Sequence, residues 1–276
     1  MIEGIDAWMA ALEARQLADL TFAEVSRSLR ALSSTYVERR AKLKEGAALS
    51  GAGKRAAFAL FYGPLHCLLL HHIVSTLGPP FTTIETVLDL GCGTGAGSAG
   101  WATACVRAPR VTGIDRHPWA IEEARRSFAD LGLRATFRVD DMTHVQLDGS
   151  GASHTAQQRF GRTGAYRTER ASPRTDRRRS GVLLAFAVNE LTAASDRSTL
   201  LLRLIEHARA GGHVVVVEPL AGFVAPWWKD WQREFEGIGG RADEWRFRVS
   251  LPAIVEKLDR AAGLNHRELK GRSLSV

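Results

Sequence analysis

The chain contains 276 residues with a mass of 30.2 kDa, of which 45% are hydrophobic and 24% are charged. This composition is typical of a globular protein, and it excludes a largely disordered chain, a collagen-like repeat and a membrane protein with several spans. Its three cysteines, Cys67, Cys92 and Cys105, follow no CxxC or zinc-ligand spacing. We therefore expect neither a disulfide framework nor a metal site, and we predict a cytoplasmic protein.

The first 80 residues carry the pattern of an all-helical region. Thr21 and Glu24 form a capping box, and apolar residues recur behind it at steps of three and four. Residues 56–77 lack charged side chains and could span a bilayer by length, but Gly63-Pro64 interrupts them and three histidines follow. We interpret this stretch as a buried helix and expect no membrane partner. The acidic N-terminal sequence lacks the features of an export signal.

From residue 85 onward, short apolar runs alternate with helical patterns. The runs VLDL, VTGI, ATFRV, VLLAFAV and HVVVVE are typical of strands buried on both faces of a parallel sheet. Helices are predicted at 98–107, 118–131, 195–210 and 251–262, and two short strands around 266–269 and 272–276. The sequence thus predicts an α/β fold with a Rossmann-like sheet and helices on both faces. Propensity gives no clear assignment for the tryptophan-rich segment 226–231.

The first predicted strand runs directly into a glycine-rich turn, GCGTGAG at residues 91–97. Glycines permit a sharp turn, and they allow a ligand to approach backbone N–H groups at a helix N-terminus, at the carboxyl edge of the sheet. Gly91, Gly93 and Ala96 satisfy the dinucleotide fingerprint, and Asp115 lies at the spacing of a ribose-binding acid. This turn therefore predicts a ligand site, with a dinucleotide as one candidate.

Asp89 favours a different ligand. A carboxylate two residues before the turn repels a pyrophosphate but attracts a cationic amino acid group. The spacing of Asp89, Gly91, Gly93 and Gly95 resembles the first motif of class I S-adenosylmethionine-dependent methyltransferases. The resemblance extends over roughly residues 80–276 and implies S-adenosyl-L-methionine as the cofactor.

The resemblance also implies the residues that bind the methyl donor. Asp115 matches the acid that takes the ribose hydroxyls, and Arg116 would flank the adenine. Asp141 aligns best with the adenine-contacting acid, with Asp140 as the alternative. The full implied set is Asp89, Gly91, Cys92, Gly93, Gly95, Asp115, Arg116, Asp140, Asp141, Met142 and Ala187.

Asn189 and Glu190 are the candidate catalytic residues, because they follow the fourth strand where the family's substrate-facing loop meets the donor. A capping role at the start of a helix is the alternative for Glu190. Methyl transfer from a sulfonium needs positioning and, for a protonated acceptor, a base. No cysteine is expected to act as a nucleophile, and no Asn-Pro-Pro-Tyr motif supports an exocyclic amine acceptor.

Three flanking segments carry a narrower resemblance, LSSTYVERR (32–40), AFAVNEL (185–191) and VVVVEPLAGF (214–223). They look like the methyltransferase-like proteins of the small ribosomal subunit, which include mitochondrial ribosome assembly factors. This resemblance implies RNA or a ribosomal component as the acceptor and partner. The additional cysteines that hold an iron–sulfur cluster in mitochondrial members are missing from this sequence, so none is implied here.

Two basic segments agree with a partner of this kind. The net charge is +7, and residues 149–181 contain eight arginines against two acids. We predict that this insertion is disordered, because it has almost no aliphatic residues to bury. Its arginines at 159–179, and the basic helix at 27–55, could bind phosphates. A solvated insertion and a solvated helix face are the alternatives.

The sequence therefore predicts two regions, a helical one at 1–80 for capping or substrate recognition and a methyltransferase domain at 81–276. RNA or a ribosomal component is the expected acceptor. A small-molecule methyltransferase with a helical lid, and a non-catalytic ribosome-associated factor that retains the donor site, remain as alternatives. The tryptophans at 227, 228, 231 and 245 would either stack on an acceptor or close a hydrophobic core.

Overall fold

The computed structural model describes residues 2–38, 49–147, 177–220, 225–266 and 268–276, without the side chains of 34–38. The predicted disordered insertion at 149–181 therefore lies largely outside the described residues, as does the most basic part of the segment 27–55. The described residues form one twisted sheet with helices packed against both of its faces.

The sheet has seven strands in the order β3-β2-β1-β4-β5-β7-β6. They are β1 (Thr86–Leu90), β2 (Arg110–Asp115), β3 (Ala135–Val139), β4 (Ser180–Ala185), β5 (His213–Glu218), β6 (Arg241–Phe247) and β7 (Leu269–Ser275). The first five strands are parallel, and β7 pairs antiparallel with β5 and β6. The predicted Rossmann-like fold is confirmed.

Two strand predictions need correction. β6 was not predicted, because its sequence RADEWRF carries four charged residues and reads as a surface segment. The strand expected around 266–269 is wrong, since β7 begins only at Leu269 and the backbone N–H of His266 is bound by the Asp259 carboxylate at 3.0 Å. The sheet is consequently mixed at one edge rather than parallel throughout.

The helices are α1 (Ile5–Gln16), α2 (Phe22–Glu38), α3 (Ala52–Leu77), α4 (Ala96–Ala104), α5 (Pro118–Asp130), α6 (Ala194–Arg209), α7 (Trp228–Glu236) and α8 (Ala253–Ala261). The predicted capping box is confirmed, because Thr21 donates to Glu24 through both its backbone N–H (2.8 Å) and its hydroxyl (2.7 Å). Residues 58–62 of α3 form a π-helical turn. Such turns are common at functional sites.

Successive residues of each strand face opposite cores. Val87, Leu183 and Val215 pack with α1, α3, α4 and α5, whereas Leu88 and Val216 pack with α6 and α7. This alternation explains the continuously apolar strand sequences. The helices of region 1–80 thus share a core with the sheet. Residues 52–77 are long and apolar enough to cross a membrane, but they are the central helix of this core, as predicted.

A buried ion pair fixes the N-terminal helices to the sheet domain. Glu123, on α5, is 1% exposed and accepts hydrogen bonds from Arg15 Nη2 at 2.7 Å and from Gln16 Nε2 at 2.8 Å. Arg15 Nη1 also lies 3.0 Å from Asp130 Oδ2. Removing one partner of a buried pair is costly because the other is left uncompensated. These contacts hold α1 against α5 and leave α3 fixed above the glycine turn.

Candidate methyl-donor site

Asp89 lies at the carboxyl end of β1 with an unusual carboxylate. The residue is 1% exposed, and neither carboxylate oxygen has a hydrogen-bond partner among the described residues. Burial first, and then the charge of Asp115, raises the pKa of Asp89 to about 7, while nearby Ser98 opposes this rise. The Ser98 hydroxyl itself donates to the Gly95 carbonyl at 3.2 Å. A buried carboxylate without a partner is suited to a cationic ligand group.

The glycine turn brings three predicted residues together. Gly91 has a φ of 71°, and a Cβ placed there would lie 2.6 Å from the Cβ of Ala187 and 3.5 Å from Sδ of Met142. The backbone N–H groups of Gly91 and Cys92 donate to the Ile114 carbonyl at 2.8 and 2.9 Å. This position requires glycine, because a side chain would clash with the turn after β4.

Asp115 ends β2 beside this turn. Its carboxylate accepts hydrogen bonds from the backbone N–H groups of Gly93 and His117, both at 2.8 Å. Each oxygen therefore has one fixed donor and a remaining lone pair. The adjacent N–H groups orient the carboxylate at the carboxyl edge of the sheet, where the resemblance expects a ribose-binding acid.

The two acids after β3 are not equivalent. Oδ1 of Asp141 accepts from both the N–H (2.9 Å) and the hydroxyl (2.7 Å) of Thr143. The pKa of Asp141 is lowered, because hydrogen bonds from Thr143 and the charge of Arg116 outweigh desolvation. Asp140 instead accepts from the N–H of Asp141 at 2.8 Å and lies 3.4 Å from Arg138 Nε. Because the charge of Arg116 acts on Asp141, the two residues predicted to contact the adenine lie near each other.

Glu190 approaches the same crevice from the turn after β4. Its carboxylate lies 3.9 Å from Arg116 Nη2, and its side chain is 62% exposed. Partial desolvation by the crevice first, and then repulsion by Asp115, raises the pKa of Glu190 above its ordinary value, against the attraction of Arg116. Solvent screening at an exposed side chain weakens these interactions. Glu190 is thus close to the donor residues and accessible to an acceptor.

Asn189, the other candidate catalytic residue, is held in a buried network. Its Nδ2 donates to Glu218 Oε2 at 2.6 Å, and its Oδ1 accepts from Trp227 Nε1 at 3.0 Å. Glu218 ends β5 and is 1% exposed. Glu218 was not predicted as a site residue, and Trp227 was predicted only as a ring that would either stack on an acceptor or close the core. The sequence VVVVE contained a signal for Glu218, because an acidic residue at the end of a buried strand usually has a specific binding partner.

A second set of missed residues forms an aromatic ridge over the glycine turn, consisting of Phe58, Tyr62 and His66. They follow one another at steps of four on α3, with centroid distances of 6.1 and 6.2 Å. The Phe58 ring lies 3.8 Å from the position of a Cβ on Gly93. His66 stacks on Phe186 with centroids 4.1 Å apart and an interplanar angle of 23°. The spacing in the sequence was a signal for the ridge.

Phe186 occupies a strained conformation at this point. Its φ of 62° is uncommon for a residue other than glycine, and its N–H donates to the Val217 carbonyl at 2.8 Å. Strain of this kind concentrates at ligand sites, where the surrounding structure enforces it. Desolvation lowers the pKa of His66 to about 4, so the imidazole stacked on Phe186 is neutral at neutral pH.

Several residues that drew attention in the sequence have structural roles. Trp227, Trp228 and Trp231 are buried in the core beneath α6 and α7, and Trp245 donates to Ser273 at 2.9 Å, so the hydrophobic-core interpretation is confirmed. Burial raises the pKa of each cysteine, Cys67 and Cys105 to about 12, which agrees with the expected absence of a thiolate nucleophile. The described residues contain no cluster suited to a metal ion.

The basic insertion leaves the sheet at its opposite edge. The carbonyl of Leu147, the last described residue before it, accepts from His207 Nδ1 at 2.9 Å near the end of α6. Arg179, just after it, forms an ion pair with Glu85 at 2.5 Å ahead of the amino end of β1. Both anchors therefore lie at the amino edge of the parallel strands, whereas Asp89 and Phe186 lie at the carboxyl edge.

Comparison with known proteins supports the same class. Residues 87–159 match the family model described as a methyltransferase domain, and this segment contains β1, the glycine turn, Asp115 and Asp141. No curated protein sequence matches the chain.

Solved structures of methyltransferases are similar to the chain at low identity. A candidate RNA methyltransferase from Pyrococcus horikoshii is 14% identical over 76% of this chain and 82% of its own, with a TM-score of 0.43. The mitomycin 7-O-methyltransferase MmcR is 15% identical over 97% and 71%, with a TM-score of 0.47. A TehB-like methyltransferase from Corynebacterium glutamicum is 15% identical over 75% and 85%, with a TM-score of 0.41. Likenesses of this size give no information on the acceptor.

Residues 87–159 thus form a methyltransferase domain, and the chain is an S-adenosylmethionine-dependent methyltransferase with S-adenosylmethionine as its cofactor. The buried carboxylate of Asp89 fits this cofactor, because the cationic amino acid group of the donor would supply a positive charge that no basic side chain among the described residues brings to it. A dinucleotide would instead bring its anionic pyrophosphate toward that carboxylate.

Proposed function

We propose that the chain methylates a small planar aromatic acceptor that packs beside the stacked rings of His66 and Phe186, next to the glycine turn. The observation that carries this proposal is the stack of His66 on Phe186 at the carboxyl edge of the sheet, beside the glycine turn. The two rings are in direct contact, so a flat acceptor would pack against an outer face or edge of the pair. The ridge carries no charge at neutral pH, which suits an uncharged ring.

The donor-binding roles follow from the positions of the carboxylates. Asp89 would bind the amino group of the donor, Asp115 the ribose hydroxyls and Asp141 the adenine amine, with the glycine turn against the methionyl part. S-adenosylmethionine supplies an electrophilic methyl group on a positively charged sulfur. The chain's own residues orient the acceptor, exclude water beneath α3 and accept a proton at Glu190.

RNA remains the second candidate acceptor, favoured by the eight arginines of residues 149–181. The two anchors of this insertion support the small molecule instead, since both lie at the amino edge of the sheet, opposite to the edge that carries the donor carboxylates. A ribosomal partner and membership of the small-subunit family rest on the sequence resemblance.

The test combines donor binding with a comparison of acceptors. Calorimetric titration should show heat with S-adenosylmethionine and none with NAD. Purified protein with methyl-labelled donor should then label low-molecular-weight aromatic compounds from a cell extract, and His66→Leu should reduce this labelling about tenfold without weakening donor binding. Label found only in RNA or in ribosomal subunits would contradict the proposal of a small acceptor.

A further inference from the structure

A cavity of about 180 Å³ lies between the loop after β3 and helix α6. It is lined by one face of α6, at steps of three and four residues, and by two residues of the loop, namely Asp196, Thr199, Leu200, Arg203, Thr143 and His144. None of the residues assigned to the methyl donor lines it. Because an apolar cavity of about 150 Å³ can hold benzene, this one has room for a molecule of that size or slightly larger.

The cavity contains one positive and one negative side chain that are not paired with each other. Arg203 Nη1 donates to the Thr143 carbonyl at 3.0 Å, and its Nη2 is buried with no hydrogen-bond partner among the described residues. Desolvation lowers the pKa of Arg203, against the attraction of Glu206. Asp196 accepts a long hydrogen bond of 3.5 Å from the Ser195 hydroxyl and forms no ion pair with a described residue. Both charges are therefore available to a ligand.

The spacing of the two charges suits a ligand that carries both signs. Asp196 and Arg203 are seven residues apart on α6, so their Cα atoms are separated by about 10 Å along the helix axis. A bound amino acid with a hydrogen bond of about 2.9 Å at each end spans a distance of this order. A simple anion would leave Asp196 unpaired beside it, and a simple cation would do the same to Arg203. Leu200, which is 1% exposed, adds an apolar floor for an aliphatic side chain.

One loop residue connects the cavity with the donor site. Thr143 lines the cavity and accepts from Arg203, while its own N–H and hydroxyl both donate to Oδ1 of Asp141. The backbone N–H of His144 also donates to the Asp141 carbonyl, at 3.0 Å. A ligand that fixes the Arg203 guanidinium would therefore also fix the loop that orients the Asp141 carboxylate.

We infer that this cavity binds a small zwitterionic amino acid with an aliphatic side chain and that this binding strengthens binding of the methyl donor. Arg203 would bind the α-carboxylate, Asp196 the α-ammonium group and Leu200 the side chain. The site itself is independent of the proposed acceptor, whereas the coupling rests on the adenine-binding role proposed for Asp141. Because such coupling is reciprocal, each ligand should raise the affinity for the other by the same factor, about fivefold.

Calorimetry with L-valine, isovalerate and L-valinamide tests the two charges. The three probes share one isopropyl group, but isovalerate lacks the ammonium group and L-valinamide lacks the carboxylate. L-valine should bind at least about tenfold more tightly than either analogue, the effect of one lost hydrogen bond to a charged group. Arg203→Leu and Asp196→Asn should each weaken L-valine binding by a similar factor. Arg209→Leu is the matched control, because Arg209 is exposed on the same helix and does not line the cavity.

The titration is then repeated with the donor site filled by S-adenosylhomocysteine, and the affinity for L-valine should rise about fivefold. Competition between the two ligands would place L-valine in the donor site and overturn the inference. Equal binding of the three probes, no binding of L-valine, or unchanged binding in Arg203→Leu would overturn it as well. Binding of L-valine that leaves the affinity for S-adenosylhomocysteine unchanged would overturn the coupling. If S-adenosylmethionine itself failed to bind, the proposed function would fall, and L-valine titration of the free protein would still decide on the cavity.

Discussion

Along the proposed donor wall of the crevice, the candidate binding groups are carboxylates and backbone N–H groups placed at the ends of β1, β2 and β3. Along the proposed acceptor wall they are rings and one amide, brought from α3, from the turn after β4 and from the start of α7. The donor is charged and invariant, whereas an acceptor is recognised by its shape and by one atom. Charge therefore dominates the donor wall, and surface complementarity dominates the acceptor wall. Substitutions in one wall should change the affinity for its own ligand and leave the affinity for the other ligand unchanged.

The largest effect is expected from the charge on the donor wall. Asp89→Ala should weaken S-adenosylmethionine binding at least about 100-fold in calorimetry, because a desolvated ion pair loses one partner. Asp89→Asn keeps the shape and should lose nearly as much. If Asp89→Asn bound the donor as tightly as the wild type, the carboxylate would not be the site of the cationic group.

A pair of glycines separates binding from folding. Gly91→Ala should weaken donor binding about 100-fold, because the new Cβ would lie 2.6 Å from Ala187 and distort the turn. Gly100→Ala should instead lower the thermal midpoint, since its Cβ would lie 2.3 Å from the Cys67 carbonyl between α3 and α4. Equal losses of donor affinity per folded molecule in the two variants would contradict this separation.

The pH dependence of the donor wall has a defined sign. The pKa of Asp89 is about 7 in the folded protein, above its ordinary value of 3.8, so the folded state holds a proton that the unfolded state releases. The free energy of unfolding of the free protein should therefore decrease as the pH is raised from about 4 to about 7. The Asp89→Asn variant should have a higher melting temperature than the wild type at pH 8 but not at pH 4. Thermal denaturation measures this difference.

Donor affinity should change in the opposite direction. The cationic group of the donor favours the ionised carboxylate, so affinity should rise up to about pH 7 and fall about tenfold for each unit below it. Asp89→Asn should show a flat profile over the same range. A wild-type affinity that is constant from pH 5 to pH 8 would contradict the assignment of Asp89.

On the acceptor wall, Phe186→Gly should raise the KM for the aromatic acceptor about tenfold through loss of the stacked ring. Donor affinity should remain unchanged, and the midpoint of unfolding should change little, because glycine relieves the positive φ at this position. Val106→Gly removes a side chain that is 90% exposed, in the turn after α4, and serves as the control. A change in donor affinity alone would show that Phe186 belongs to the other wall.

The smallest effect is expected far from both walls. Deleting residues 152–174 should change transfer to a small acceptor less than about twofold, since the flanking anchors lie at the amino edge of the sheet. The same deletion should reduce the salt-sensitive binding of RNA by the eight-arginine segment. If this variant lost methyl transfer to the small acceptor, the insertion would contribute to the acceptor site, which would contradict the prediction.

The two walls also differ in how much the sequence alone could predict. The donor wall follows local rules, because a strand, a glycine turn and an acid after the next strand occur in fixed order, and the structure brings Asp89, Gly91, Asp115, Asp141, Met142 and Ala187 to one edge. The ridge and the Asn189 network depend on contacts between distant segments, which no local pattern specifies. β6 was missed for a related reason, since its charged residues face solvent at the sheet edge.

The buried contacts of Arg15 and Gln16 with Glu123 have a consequence for the order of events during turnover. Among the described residues, α1 is tied to α5 and α3 is packed in the core, so the aromatic ridge on α3 would already be in position when a ligand arrives. Ligands would then enter and leave through a static opening, and product dissociation would depend on affinity rather than on a hinge. Such a catalyst discriminates sharply among ring shapes and tolerates little variation in their thickness.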